Sequence, residues 1–190
     1  MQQPRLVLFP QQHLDNPKNF ITSLTEAQLI SDRFDFKQQT HHLVGQQFFQ
    51  HIMFLGCSPS IKTELPADLN DVNFCHIEIV LSQPNPLFFH AQQVRPPRCP
   101  HCKHEVLDWH FMIQQWQQDK SQFSYICPEC HLAVDVTQLD WRSKAGFARE
   151  MINIWGIFEG EAIPNFAFLA QLKQWSGGIN WQYCHATGDI

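Results

Sequence analysis

Two Cys-x-x-Cys pairs, Cys99-Pro100-His101-Cys102 and Cys127-Pro128-Glu129-Cys130, constrain the fold of this chain more than any other feature. They are separated by 24 residues. Two intervening residues let the backbone turn so that both sulfurs of a pair face one point, and two such turns supply the four ligands of a tetrahedral zinc site. The proline after each first cysteine presets its own φ in the turn. The spacing therefore predicts a four-thiolate metal site.

The segment between the two pairs alternates in polarity, as a β-hairpin does. Apolar residues occupy every second position over 107–113, a polar turn follows at 117–121, and the alternation resumes over 123–125 toward the second pair. Apolar residues at alternate positions of 132–136 predict a third strand. The pattern favours a small three-stranded antiparallel sheet with the cysteines at one end.

With these features, the segment from Arg98 to Val136 resembles a zinc ribbon. The resemblance implies one Zn²⁺ per chain, held by Cys99, Cys102, Cys127 and Cys130. Iron is the competing ion, because rubredoxin-type sites use the same four thiolates. Zinc ribbons occur in transcription factors, ribosomal proteins and enzymes, so the resemblance implies a metal-bound module and no particular activity.

Two alternatives bear on the role of these cysteines. Redox Cys-x-x-Cys pairs lie where a strand meets a helix, whereas both pairs here have a strand–turn–strand context. His101, His104 and His131 lie beside the cysteines, and with four thiolates present we expect them to face solvent or to bond to the ligands. A closed set of four protein ligands leaves no position for water or substrate, which predicts a structural site. Arg98 and Lys103 are expected to offset the excess negative charge of the thiolates.

The remainder of the chain predicts an α+β body formed by residues 1–94 and 137–190, with residues 95–136 inserted as the zinc-ribbon module. In the body, strands are predicted at 6–9, 43–55, 74–81, 87–89, 147–157 and 179–183. One helix is predicted from Asn16-Pro17 to about Ser31, and a second from Pro164 to Gly177-Gly178. This order favours an antiparallel or mixed sheet with helices on one face, with a ferredoxin-like topology.

Composition and charge narrow the expected partners and location. Of 190 residues, 44% are hydrophobic and 16% charged, which suits a packed core without disulfides. The net charge is −5, and residues 95–150 hold 7 basic and 7 acidic side chains, so neither nucleic acid nor an anionic membrane is the expected partner. No segment approaches the roughly 18 apolar residues of a spanning helix, and the apolar run at 6–9 is too short for a signal peptide. We expect a cytoplasmic protein.

Three functions are compatible with this sequence. The first is a non-enzymatic protein acting through protein contact or small-ligand recognition, with the aromatic face of the hairpin covered by the body or by a second copy in a homodimer. The second is nucleic-acid binding through a small cationic and aromatic face, formed by Arg95, Arg98, Lys103, Trp109 and Trp116. The third is an enzyme whose pocket lies in the body, braced by the ribbon.

Other chemically active side chains predict less. Cys57, Cys75 and Cys184 are expected to be buried and inert. Cys184 and His185 cannot act as nucleophile and base, because adjacent strand residues point to opposite faces. A second metal site at His41-His42 and His51, or acid–base chemistry at Glu159 and Glu161, competes with ordinary packing and with a solvated turn.

Overall fold

The computed structural model describes residues 3–14, 18–56, 61–68, 71, 73–81, 83–120 and 124–189. The strands are β1 (Arg5–Pro10), β2 (Ile30–Phe36), β3 (Gln39–Val44), β4 (Ile52–Phe54), β5 (His76–Val80), β6 (Leu87–His90), β7 (Ser124–Ile126), β8 (Ala133–Asp135), β9 (Ala145–Ala148), β10 (Met151–Trp155), β11 (Ala162–Pro164), β12 (Trp181–Ala186) and β13 (Gly188–Asp189). The helices are α1 (Lys18–Glu26), α2 (Phe48–His51), α3 (Trp109–Gln118) and α4 (Phe166–Trp175), with a 3-10 turn at Val136–Gln138. The predicted helix start at Asn16-Pro17 and the thiol of Cys57 lie outside the described residues.

Six strands form the main sheet, in the order β12-β1-β10-β5-β3-β2, and every neighbouring pair is antiparallel. Helix α4 connects β10 to β12 across β1, and α1 connects β1 to β2 at the far edge of the sheet. The predicted α+β class is confirmed. The main sheet has six strands, whereas a ferredoxin-like sheet has four. The two share one feature: a helix, here α4, connects the two strands that lie on either side of β1.

The two faces of this sheet have different covers, because side chains alternate along each strand. Leu6 and Leu8 of β1 form one buried cluster with Leu24 of α1 and Leu172 of α4. Val7 points to the opposite face and belongs to a second cluster, which includes residues of β6 and β9. Strands β13, β6 and β9 form a three-stranded sheet there. Helices α1, α2 and α4 therefore lie on one face of the main sheet, as predicted for the body, whereas α3 belongs to a separate cluster.

Helix α4 begins two residues after the predicted Pro164, which is the last residue of β11, and it ends just before the predicted Gly177-Gly178. The side chain of Asn165 accepts a hydrogen bond from the N–H of Phe168 at 2.6 Å and caps the first turn. After the last turn, Gly177 and Gly178 have φ of 72° and 98°. Glycine adopts this left-handed conformation without a steric penalty, so the chain turns there toward β12.

The first helix ends before the predicted position near Ser31. Gln28 has a φ of 53°, and the N–H groups of Gln28 and Leu29 donate to the carbonyls of Thr25 (2.9 Å) and Leu24 (3.1 Å). These two bonds form a Schellman helix end, with glutamine at the position that glycine usually occupies. The residues that follow form β2, which the sequence pattern did not predict.

Two runs predicted as single strands are interrupted. Within 43–55, helix α2 separates β3 from β4, and within 147–157 a bend at Arg149-Glu150 separates β9 from β10. Strand β9 pairs with β6, whereas β10 pairs with β1 and β5. The bend thus moves the chain from one sheet to the other, and the strands on both sides of it are mainly apolar because both sheets are buried.

The predicted strand at 107–113 is wrong, because α3 occupies this segment. Trp109, Met112, Ile113 and Trp116 are buried at helical spacing, and Phe111 is 60% exposed. The alternation over 107–113 fits a strand. When Trp116 is included, however, the apolar positions fit a helix that buries one side. The predicted three-stranded ribbon sheet is therefore wrong: among the residues described here, only β7 and β8 pair as a sheet in the module.

Candidate metal centre

Both Cys-x-x-Cys pairs lie in the same type of turn. In the first, the N–H of Lys103 donates to the carbonyl of Cys99 (3.0 Å), and the N–H of Cys99 donates to the carbonyl five residues later (2.9 Å). In the second, the corresponding bonds start from His131 and Cys127, at 2.9 and 3.0 Å. Lys103 and His131 have φ of 63° and 59°, so both turns reverse through a left-handed residue at the same position. Each turn directs its two cysteines to one side.

The two turns bring the four sulfurs together. The Sγ atoms of Cys99 and Cys130 are 3.8 Å apart, those of Cys102 and Cys127 are 3.5 Å apart, and all four lie within 4.8 Å of one another. A tetrahedron with Zn–S bonds of about 2.3 Å has S···S edges of about 3.8 Å, whereas a disulfide is about 2.05 Å long. The spacing fits four thiolates around one ion. It excludes a disulfide between Cys99 and Cys130 and between Cys102 and Cys127.

The electrostatics of the cluster favour a bound cation. The N–H of Cys130, helped by that of Glu129, lowers the pKa of Cys127 to about 6. The N–H of His104 acts in the same direction on Cys102, but burial and the neighbouring thiols raise the pKa of Cys102 to about 12. At sulfur–sulfur distances below 4.8 Å, one thiolate therefore opposes the ionisation of its neighbours by charge repulsion. A divalent ion removes that repulsion, because a coordinated thiol is deprotonated.

The basic residues near the cluster are paired with carboxylates. The guanidinium of Arg98 lies 3.2 Å from the Glu105 carboxylate, and the Lys103 ammonium lies 3.4 Å from that of Asp140. We expected Arg98 and Lys103 to offset the charge of the thiolates. The structure instead pairs them with neighbouring acidic side chains, so the compensation would have to come mainly from a bound ion.

The histidines beside the cysteines are not grouped with them. His101 and His131 are exposed and His104 is half-buried. Among the described side chains, the four cysteines form the one group of His, Cys, Asp and Glu ligand atoms close enough to hold a metal ion. His131 serves as the left-handed turn residue of the second pair, which explains its position next to a ligand.

The two other thiols in the described residues are shielded from solvent. Cys75 and Cys184 are each 1% exposed, and burial raises the pKa of each thiol to about 12. A thiol with such a pKa is a poor nucleophile. Cys184 points into the cluster on one face of the main sheet, while Nε2–H of His185 donates to the carbonyl of Ala162 at 2.9 Å. The two side chains therefore do not form a nucleophile–base pair.

The remaining sequence candidates have structural roles. Glu159 forms an ion pair with Lys144, and the Glu161 carboxylate accepts from the N–H of Phe158 at 2.9 Å, as in a solvated turn. His51 donates from Nε2 to the carbonyl of Ala27 at 2.9 Å. These groups do not converge on a common centre.

Two groups of hydrogen-bonded polar side chains, most of them buried, were not predicted from the sequence. On the main sheet, Asn153 accepts from Arg5 (3.2 Å) and donates to Glu78 (2.9 Å). At the end of β1, Nδ1 of His13 lies 2.6 Å from the carboxylate of Glu150, which is 1% exposed. The available signal was polar residues inside predicted strands, since a strand buried on both faces is otherwise apolar.

The structure thus contains a four-cysteine cluster able to bind a metal ion. Within the described ranges, no helix is both long and apolar enough to cross a bilayer. Comparisons of this chain with protein-family models, with curated proteins and with solved structures gave no match.

Proposed function

We propose that the four cysteines bind one structural Zn²⁺ per chain and that the module they stabilise acts through protein contact in the cytoplasm. The closed set of four thiols carries this proposal, because it leaves no coordination position for water or substrate. Zinc suits the site since a d¹⁰ ion accepts a tetrahedron of thiolates without redox chemistry. The free thiols of Cys75 and Cys184 fit a reducing compartment.

The proposed domain division places the zinc module at 95–136 and the α+β body at 1–94 and 137–190. The module has its own buried residues, among them Cys99, Ile113 and Val134. Phe88 of β6 and Ala145 of β9 belong to the same apolar cluster. The module is therefore packed directly on the second sheet of the body, and its metal is expected to stabilise that contact as well.

Protein contact is supported by apolar side chains on the outside of the module. Large exposed hydrophobic residues there are Leu107, Phe111, Ile126 and Leu132. Of the cationic groups named for nucleic acid, Arg98 is paired with Glu105 and Lys103 with Asp140, while Arg95 is exposed. Arg142 is likewise paired with Glu105. A neutralised, apolar surface favours a protein partner over a phosphate backbone.

The purified protein is expected to contain one zinc ion per chain. Elemental analysis of protein prepared without oxygen measures this directly, with the Cys75→Ser variant as a control that leaves the four ligands intact. An iron content near one per chain would identify a rubredoxin-type centre instead. Less than a few tenths of an equivalent of any metal would contradict the proposed site.

A second copy of the chain is the first partner to test. Wild-type, zinc-loaded protein is expected to sediment as a dimer at tens of micromolar, and Phe111→Asp is expected to shift it to the monomer because a charge is costly in an apolar contact. Phe166→Asp is the matched control, since Phe166 is 90% exposed but lies outside the module. A wild-type monomer throughout this range would rule out the homodimer, and an equal effect of both variants would rule out the module as its interface.

A further inference from the structure

A cavity of about 400 Å³ lies in the body, next to the residues that directly follow the zinc module. Its wall includes three stretches of chain: residues 9–13 at and after the end of β1, residues 182–183 of β12, and the segment 137–150 except Lys144. The segment 137–150 runs from the 3-10 turn through β9 to the bend before β10. Ligand pockets in proteins commonly have volumes of about 300–1,000 Å³.

Two of the charged groups in this wall are bound to the zinc module. The Asp140 carboxylate accepts from the N–H of Arg142 (3.1 Å) and from the Lys103 ammonium (3.4 Å). The Arg142 guanidinium donates to Glu105 at 3.4 Å and to the carbonyl of Pro96. Each of these two charges therefore has an opposite charge as its partner.

The other two charged groups, at the bend between β9 and β10, differ from each other. The Glu150 carboxylate is buried and bonded to Nδ1 of His13 at 2.6 Å. Arg149 is half-buried and donates from Nε to the carbonyl of Gln83 (2.7 Å) and from Nη2 to that of Pro84 (2.9 Å). In the described part of the chain, the hydrogen bonds and ion pairs of Arg149 include no carboxylate.

The two carbonyl bonds hold the guanidinium of Arg149 in place without neutralising it. A guanidinium has five N–H donors, so two bonds leave three donors for other partners. A fork fixed in this way suits a carboxylate or a phosphate, which accept two parallel N–H bonds. An anion that enters the cavity would supply the opposite charge that Arg149 lacks among its partners in the described residues.

We propose that this cavity binds a small anion bearing a carboxylate or a phosphate group, with the Arg149 guanidinium as its anchor. The protonated His13 imidazolium is the second donor: its Nδ1–H bonds to Glu150, and its Nε2–H is left for the anion. Nε2 of His13 makes no hydrogen bond within the described residues, and the ring is oriented by its bond to Glu150. The Glu150 carboxylate is 1% exposed and already engaged, which limits its repulsion of an incoming anion.

The backbone of the wall supports a built site. Arg142 and Ser143 both line the cavity and are consecutive non-glycine residues with φ of 53° and 56°. Such conformations cost energy and are concentrated at ligand sites. The backbone of Asp140 is paired with that of Arg98 through two N–H···O bonds of 2.9 Å, so the residue next to the first cysteine also supports this wall.

The test uses the full-length, zinc-loaded protein and two simple anions. Inorganic phosphate and, separately, succinate are titrated while NMR follows the arginine Nε–H signals and the backbone amides of Ser143 and Gly146. We expect a saturable shift of the Arg149 signal with a Kd of about 1 mM or lower. Arg149→Gln is expected to weaken binding about ten- to a hundred-fold, because a charge-assisted fork is lost.

The controls separate a site from general attraction. Arg33→Gln removes the same charge from an exposed arginine of β2, whose guanidinium donates to Thr40 at 3.2 Å, and is expected to leave the Kd unchanged. His13→Gln, with its fold checked by the amide spectrum, is expected to weaken binding several-fold, a loss in the range of one hydrogen bond. Saturation by one anion alone would assign its class. Shifts that stay linear with concentration, or an unchanged Kd in Arg149→Gln, would overturn the proposal.

Discussion

Cys127→Ser is expected to abolish tight zinc binding and to unfold residues 98–136, while much of the body stays folded. Cys127 is fully buried, and its Sγ is 3.5 Å from that of Cys102, so the serine cannot restore the fourth thiolate. In zinc-finger peptides the metal contributes on the order of 10 kcal/mol to folding, comparable to the whole stability of a small domain. The body keeps its own apolar clusters on both faces of the main sheet.

Hydrogen exchange with mass spectrometry measures this difference by segment. Cys184→Ser is the matched control, because it replaces another buried thiol outside the metal centre and should leave both the zinc and the protection of 98–136 in place. Phe88 and Ala145, which share a cluster with the module, are the body residues expected to lose protection first. A uniform loss of protection along the chain would show that the module and the body fold as one unit.

The four-cysteine cluster could be predicted from the sequence because its geometry is local. Each pair of sulfurs is positioned by a turn of a few residues, and both turns use the same pair of backbone hydrogen bonds. The meeting of the two pairs needed only the assumption of one shared ion. The choice between zinc and iron is not encoded in this geometry, since both accept four thiolates.

The segment between the pairs shows why periodicity alone misassigned an element. Trp109, Phe111 and Ile113 fit a strand, while Trp109, Ile113 and Trp116 fit a helix, and the shared residues do not distinguish the two. The structure buries Trp116 and leaves Phe111 exposed because the helix packs one stripe against the second sheet of the body. That partner surface is distant in the sequence, so the local pattern could not reveal it.

The anion cavity was out of reach of the sequence for a different reason. His13 and Glu150 are brought together only by the antiparallel pairing of β1 with β10. Arg149 lies at a bend within a run that reads as one strand, and nothing local indicates that the bend transfers the chain between two sheets. Long-range register, which determines this site, has no signature in the residues themselves.

Two buried histidines, His41 of β3 and His76 of β5, lie on the face of the main sheet opposite the helices. His41 lies opposite Glu78 in the register, and its ring centroid is 5.0 Å from that of His76. His76 is 1% exposed, and its Nδ1–H donates to the carbonyl of Phe74 at 3.0 Å. Burial lowers the pKa of His76 to about 4, and nearby His41 and Lys37 act in the same direction.

The free energy of unfolding is therefore expected to fall as the pH drops from 6.5 to 4. Above pH 6.5 the His76 imidazole is neutral in both states and contributes no pH dependence; between 6.5 and about 4 the unfolded chain binds a proton that the folded protein does not. At about 1.4 kcal/mol per pH unit, the free energy of unfolding falls by about 3 kcal/mol between pH 6.5 and pH 4.

Urea unfolding of wild type and His76→Gln at several pH values isolates this contribution, because acid release of the metal affects both proteins. Between pH 6.5 and 4, the free energy of unfolding of His76→Gln should depend on pH less steeply than that of the wild type, by about the contribution of one bound proton. His110→Gln, at an exposed position of α3, should keep the wild-type pH dependence. Equal slopes for wild type and His76→Gln would show that the buried imidazole does not govern acid stability.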